Sequence, residues 1–323
     1  MPRKEGLKEL EREHDNLRTA IARLHITDAS RVLRLTGALG WFWRLHSHFS
    51  EGRAALAKAL AAAMETGADR ARALAAAGEL AAFSGDIGAA RSLLEEAIAI
   101  WRTMGRTQDV ANALIDLGWG CFVSGDADAR RLMEEGLALQ QTVGNPRLVN
   151  RARIGLLQVL VSLGETEIVE PMAHEAMAAA VATRDLHSEH FAHHFLADCS
   201  LIRGECDIAL PRYQRALELA LELGDRAETA VEIQGVAMSL AGMKQAAQAL
   251  RLGGAAAAEL DALAVDMSGI VFWNALLERF FGQARAALGE PAATAAWKEG
   301  RQTGFDYAVA LALDSDATGE RSI

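Results

Sequence analysis

Glycine followed by an acidic residue recurs at a nearly fixed period along this chain, at Gly85–Asp86, Gly125–Asp126, Gly164–Glu165 and Gly204–Glu205, with spacings of 40, 39 and 40 residues. A weaker anchor, Gly242, follows 38 residues later. A second series interleaves with the first at Gly67, Gly105, Gly144, Arg184–Asp185 and Gly224. Two turn series with one shared period mean one helix pair per repeat. Glycine suits the left-handed residue that ends many helices, and a following Asp or Glu can cap the next one.

The stretch from His187 to Gly224 shows the unit most clearly. Phe191, Phe195, Leu196 and Leu201 form one apolar stripe, and Ile208, Ala209, Tyr213, Ala216, Leu217 and Ala220 form another. This is the helical i, i+3, i+4, i+7 pattern, written twice across a short turn. The sequence predicts a leading helix over 3–26 and helix pairs over 29–66, 69–104, 108–143, 147–183, 187–223 and 227–264. A strongly apolar helix through Phe272, Trp273, Leu276, Leu277, Phe280 and Phe281 follows. The expected domain plan is one continuous array: a capping helix in 1–28, repeats in 29–266, and capping helices with a tail in 267–323.

Small residues indicate the repeat class. Ala197, Ala209 and Ala216 around Gly204, and Gly78, Ala90 and Ala97 around Gly85, occupy the places where tetratricopeptide helices cross closely. Gly118, Ala129 and Gly136 repeat the pattern with a one-residue deletion. The expected fold is all-α: a lengthened tetratricopeptide-like α-α superhelix, or solenoid, of about six helix pairs with terminal capping helices. Composition agrees, with 51% hydrophobic residues, 5 prolines and no alternating β-branched runs.

Charge and cysteine usage narrow the function classes. A net charge of −10 without a segregated basic patch argues against direct nucleic-acid binding. Cys121, Cys199 and Cys206 are an odd set with no C-x-x-C, which suits a reduced, cytoplasmic protein. There is no charged-then-apolar leader, and no apolar run reaches the ~18 residues a membrane span needs. A soluble protein is expected.

Two end segments carry a family resemblance. EREHDNLRTAIARL (Glu11 to Leu24) with LTGALGWFWRLHSHFSEGRAALAKAL (Leu35 to Leu60) opens the chain, and AAWKEGRQTGFDYAVALAL (Ala295 to Leu313) closes it with a W-x-E-G-R helix and a short A-V-x-x-A-L helix. Together they resemble the C-terminal tetratricopeptide-like sensor region of large bacterial signal-transduction ATPases. These are regulators of the LuxR-type or NB-ARC-type, related to the maltose-regulator class. The resemblance implies a region that binds an inducer or partner protein and relays that event to nucleotide-driven assembly. No G-x-x-x-x-G-K-[ST] is present, and DSDATGERSI after Leu313 leaves no room for a helix-turn-helix of ~50 residues. ATPase and DNA-binding activities are therefore not expected of this chain, whether it is an excised sensor or a stand-alone relative.

In such superhelices the first helix of each pair lines the concave face. Counting back from each turn places Arg72 and Glu79, Asn112 and Trp119, Arg151 and Gln158, and Phe191, His194 and Asp198 on it. Register through Gly40 adds Arg34 and Trp41, and the Gly242 pair adds Thr229 and Glu232. This mixture suits a protein, a peptide or a polar small-molecule inducer.

His187, His190 and His194 share a helical face, and Glu189 and His193 are an i, i+4 pair. Without H-E-x-x-H or a thiolate at ligand spacing, they read as packing or partly exposed histidines, and no metal or cofactor is expected there. In the first pair, Phe42 and Trp43 are expected to pack on the leading helix, near His46 and His48. Trp41 and Trp119 are free to stack a ligand, and Trp101, Trp273 and Trp297 read as core. Glu51, Glu95, Glu96, Glu134 and Glu135 read as solvated. No catalytic template fits. The leading expectation is a non-catalytic binding sensor. The alternatives are a stand-alone scaffold that dimerises through the Phe272–Phe281 helix, and an enzyme built on a helical solenoid.

Overall fold

Left-handed backbone marks the turns in the computed structural model, which describes residues 9–46, 48–63, 66–265 and 267–314. Gly85, Gly105, Gly125, Gly144, Gly164, Gly204 and Gly224 all have φ between 65° and 81°, and Arg184 stands in for glycine at 53°. Two anchors differ from the sequence reading. Gly67 is extended at φ 174°, the N-cap of the next helix. Gly242 ends its helix, and the left-handed residue is Lys244 at φ 66°. Lys244 lies 40 residues after Gly204, so the period is kept and only the glycine is displaced.

Every described element is helical. The first of two compact units, Met1–Asn145, holds α1 (His14–Thr27), α2 (Ala29–Leu45), α3 (Phe49–Ala62), α4 (Ala68–Phe83), α5 (Ile87–Thr103), α6 (Thr107–Val123) and α7 (Ala129–Val143). The second, Pro146–Ile323, holds α8 (Pro146–Ser162), α9 (Thr166–Thr183), α10 (Leu186–Arg203), α11 (Cys206–Leu223), α12 (Arg226–Gly242), α13 (Ala246–Ala262), α14 (Val271–Leu288), α15 (Glu290–Gln302) and α16 (Phe305–Leu313). Residues 3–8 of the expected leading helix and 315–323 of the expected tail lie outside the described residues.

Within each unit helices up to α14 pack on their successors, α16 packs on α12 and α13, and the first helices of successive pairs stack as well: α2 on α4 on α6, and α8 on α10 on α12. This is the tetratricopeptide-like arrangement that the small residues predict. A Cβ on Gly78 would stand 2.7 Å from Leu94 Cγ, and one on Gly136 2.7 Å from Ile115 Cγ1. Ala90, Ala97, Ala197, Ala209 and Ala216 are all fully buried at the matching places.

The acid after each turn behaves according to its length. Asp86 accepts a hydrogen bond from the Ala89 N–H, and Asp126 one from Asp128. Glu165 and Glu205 make no side-chain cap, since the extra methylene carries the carboxylate past the helix end. A further periodicity joins the repeats. Arginine and an acid 33 residues apart pair in Arg18–Glu51, Arg53–Asp86, Arg102–Glu135, Arg203–Glu170 and Arg226–Glu259. Such exposed pairs contribute little stability singly, and they tie neighbouring repeats in register. Glu95, Glu96 and Glu134 are exposed but also paired, with Arg91, Arg70 and Arg130.

The terminal helices close the second unit on itself. Trp273, Leu276, Phe280 and Phe281 of α14 are buried among α12, α13 and α15. The apolar face that made a dimerisation helix a plausible alternative is therefore covered within the unit. The W-x-E-G-R segment has a physical role: Gly300 lies against the Arg251 backbone and Gly254 against Trp297, so α15 and α13 cross backbone to backbone. Glu299–Arg251 and Arg301–Asp261, each 2.8 Å, flank the crossing.

Gly78→Val is expected to lower stability by about 1–3 kcal/mol through overpacking against Leu94. Denaturant midpoints of the two proteins check it, and an unchanged midpoint would refute the close crossing.

Candidate functional site

In the first unit, the stacked helices α2, α4 and α6 line an open cavity of about 420 Å³. It forms because α2 and α4 approach closely. A Cβ on Gly37 would stand 3.1 Å from the Ala73 nitrogen, and Gly40 abuts Ala76. Of the residues expected on this face, the cavity brings together Trp41, Arg72, Glu79 and Asn112. Asp109, Asp116 and the buried Trp101 join them. Arg34, also expected here, is exposed, and Trp119 is half-buried beside Phe122 with ring centroids 5.5 Å apart.

The electrostatics are unbalanced. Glu79 Oε1 lies 2.9 Å from Arg44 Nε, but the N–H is not aimed at it and is left without a hydrogen-bond partner. Arg44 also stands over Trp41 at 5.6 Å and Phe83 at 5.3 Å. Burial raises the Glu79 carboxyl above its ordinary range, with Arg44 opposing. Asp116 is half-buried at the cavity wall, and its desolvation, then the charge of Glu79, pushes it up to about 8 despite Arg44. Among the described residues Asp116 makes no side-chain hydrogen bond, whereas Asn112 accepts one from Gln140 at 2.7 Å. The lining thus carries three carboxyl groups, Glu79, Asp109 and Asp116, against one guanidinium, Arg72; Asp109 pairs with Arg106 and Arg72 with Asp69, while Arg44, beside Glu79, is shared with aromatic faces. Positive charge is what it lacks.

The second unit pairs its buried charge internally, although His190 Nδ1, Asp198 Oδ2 and Glu232 Oε2 make no hydrogen bond. His194, Asp198, Thr229 and Glu232, expected to line the groove, are buried at 5%, 0%, 2% and 0% exposure. The reason is α14. Trp273 covers His194, with ring centroids 5.4 Å apart, and donates from Nε1 to Gln234 at 2.8 Å. His190 Nε2 and His194 Nδ1 both lie 2.8 Å from Glu232 Oε1. His194 Nε2 lies 3.4 Å from Asp198, whose other oxygen accepts the Tyr213 hydroxyl at 2.5 Å.

Burial disfavours charge on His194, but the carboxylates of Asp198 and Glu232 outweigh it and raise the imidazole to about 10. Burial would likewise raise Glu232, but His194 and the hydrogen bonds from both histidines take it to about 2. Burial raises Asp198 to about 6, against His194 and Tyr213. His194 is thus a buried cation between two carboxylates. The remaining expected residues lie outside this network: Arg151 is exposed, 3.4 Å from Asp185, while Gln158 and Phe191 are half-buried, the latter stacked on Phe195.

The sequence matches no protein-family model and no curated protein. Solved structures are similar in fold. One is aspartyl phosphate phosphatase F from Bacillus subtilis, at 14% identity and a TM-score of 0.63 over 84% of this chain and 72% of that one. Another is a Rap protein complexed with Competence and Sporulation Factor, at 13% identity and a TM-score of 0.56 over 79% of this chain and 76% of that one. The likeness is one of all-α helical-repeat fold. Among the described residues no helix is long and apolar enough to cross a membrane, and Cys121, Cys199 and Cys206 are free and buried.

His194→Leu is expected to cost about 3–5 kcal/mol near pH 6, because Glu232 and Asp198 lose their buried counter-charge. The folded imidazole titrates near 10 and the unfolded one near 6.5, so this stabilisation is whole below 6.5 and fades as pH rises toward 10. Denaturation of both proteins between pH 6 and 9.5 checks it. The gap should narrow with rising pH, and a constant gap would contradict a charged His194.

Proposed function

We propose that the chain is a partner-binding scaffold whose first-unit cavity takes a basic side chain from a protein or peptide segment. One observation carries the reading: the Asp116 carboxyl, raised to about 8 and unpartnered among the described residues, faces a cavity of about 420 Å³ beside Glu79 and Trp41. A lysine or arginine side chain would supply the missing charge, pull Asp116 back toward ionisation and lay its aliphatic stem or guanidinium on Trp41. The complex named for one fold neighbour, a Rap protein with Competence and Sporulation Factor, supports a binding role on this kind of scaffold. The resemblance of the end segments supports placing that role in the sensor region of a LuxR-type or NB-ARC-type bacterial regulator. A P-loop module in the same reading frame would support that context, and its absence there would remove it.

A phosphatase is the second reading, favoured by the name of the other neighbour. Acetyl phosphate as a probe distinguishes the two: the binding reading expects no release of phosphate above the buffer rate.

Peptides selected from a random display library on the purified chain should carry a consensus Lys or Arg. Asp116→Asn should weaken them by about tenfold or more, since a buried charge then lacks its partner. Affinity should rise with pH up to about 8, by at most about tenfold per unit, as binding ceases to require loss of the Asp116 proton. Calorimetry checks both. An acidic consensus, or affinity indifferent to Asp116→Asn, would refute the reading.

A further inference from the structure

We propose that Glu11, His14 and His48 form a zinc-type divalent-metal site at the junction of α1 with the first helix pair. One ligand atom from each lies within 4.8 Å of the others. His48 Nε2 stands 3.3 Å from both carboxylate oxygens of Glu11. Neighbouring ligands on tetrahedral zinc, each about 2.0–2.2 Å from the ion, are themselves about 3.3 Å apart. The pair already has the separation the ion needs.

The supporting contacts of a metal site are also in place. His14 Nε2 lies 2.8 Å from Glu51 Oε1, and Arg18 grips the other Glu51 oxygen through Nε at 3.1 Å and Nη2 at 2.5 Å. Glu51, gripped by Arg18 through its other oxygen, acts as the acceptor for His14 Nε2–H, an arrangement that keeps the Nδ1 lone pair for a metal. His46 Nδ1, 3.1 Å from Glu11 Oε2, orients the carboxylate ligand. Phe42, almost fully buried, forms an apolar floor beneath His14 and His48, with ring centroids at 5.3 and 5.8 Å.

Two features of the junction suit a metal better than a set of surface ion pairs. His48 sits at the N-cap of α3 without capping it, so its side chain is committed to the cluster. Ile21 is the one fully buried residue of α1, flanked by half-buried Leu17 and Leu24, and a bound ion would clasp this lightly buried helix to α2 and α3. Three protein ligands leave the fourth position to water or a donor from a partner. A second carboxylate–histidine group, His190 with Glu228 and Glu232, is engaged in the buried network of the other unit and serves as the control.

The test uses the full chain, stripped with chelator and titrated with zinc chloride by calorimetry at pH 7. One saturable site is expected, lost in His48→Ala and in His14→Ala, weakened by about 10–100-fold in Glu51→Gln and unchanged in Glu228→Gln. Zinc should also slow amide exchange across His14–Thr27 in the wild type, a readout that holds even if a variant folds poorly. Absence of a saturable site, its loss in Glu228→Gln with retention in His48→Ala, or unaltered exchange in α1 would each overturn the proposal.

Discussion

Close helix crossings on residues without side chains govern both polar centres of this molecule. In the first unit, Gly37 and Gly40 let α2 descend onto Ala73 and Ala76, which brings Trp41 and Glu79 to one cavity. In the second, Gly235 lies against the ring of Tyr213, and that seat aims the phenol at Asp198. A methyl group at either crossing would separate the helices, because packed interiors tolerate little extra volume. The same economy of side chains ties α15 to α13 at Gly254 and Gly300.

The two centres use similar residues and reach opposite outcomes. Around Glu232 the counter-charges are inside the protein, and His194 and His190 spend their donors on one carboxylate oxygen. Such a network is a structural element, whose removal of one member leaves a buried charge alone. Around Asp116 the compensation is incomplete, since Arg44 is divided between Glu79 and two aromatic faces. In the proposed reading the incompletely compensated charge facing an open cavity marks the binding position, whereas the pairing under Trp273 belongs to the core.

The repeat was legible because its period is written in turn chemistry, and at Lys244 the period proved a better guide than the glycine itself. The face of α6 was half legible. Counting from the turn found Asn112 and Trp119 but stepped over Asp109 and Asp116, which lie one helical turn to either side of Asn112. On α10 the spacing places Phe191, His194 and Asp198 along a groove face, yet His194 and Asp198 are buried. Nothing in the local sequence says that Trp273, on a helix that folds back from well downstream, covers His194. Glu51 looked solvated because its partners, His14 and Arg18, lie 37 and 33 residues away. Pairings between repeats are visible only once the repeat spacing is laid out in three dimensions.

Capture of a basic side chain in the first-unit cavity depends on the ionisation of Asp116. Carbon-detected NMR of the Asp116 carboxyl, titrated in the free chain and with a selected Lys- or Arg-containing peptide bound, reads it directly. A midpoint near 8 in the free chain, falling by more than about one unit in the complex, is the predicted result. A free midpoint close to the ordinary aspartate range of about 4, or one unmoved by the peptide, would contradict it.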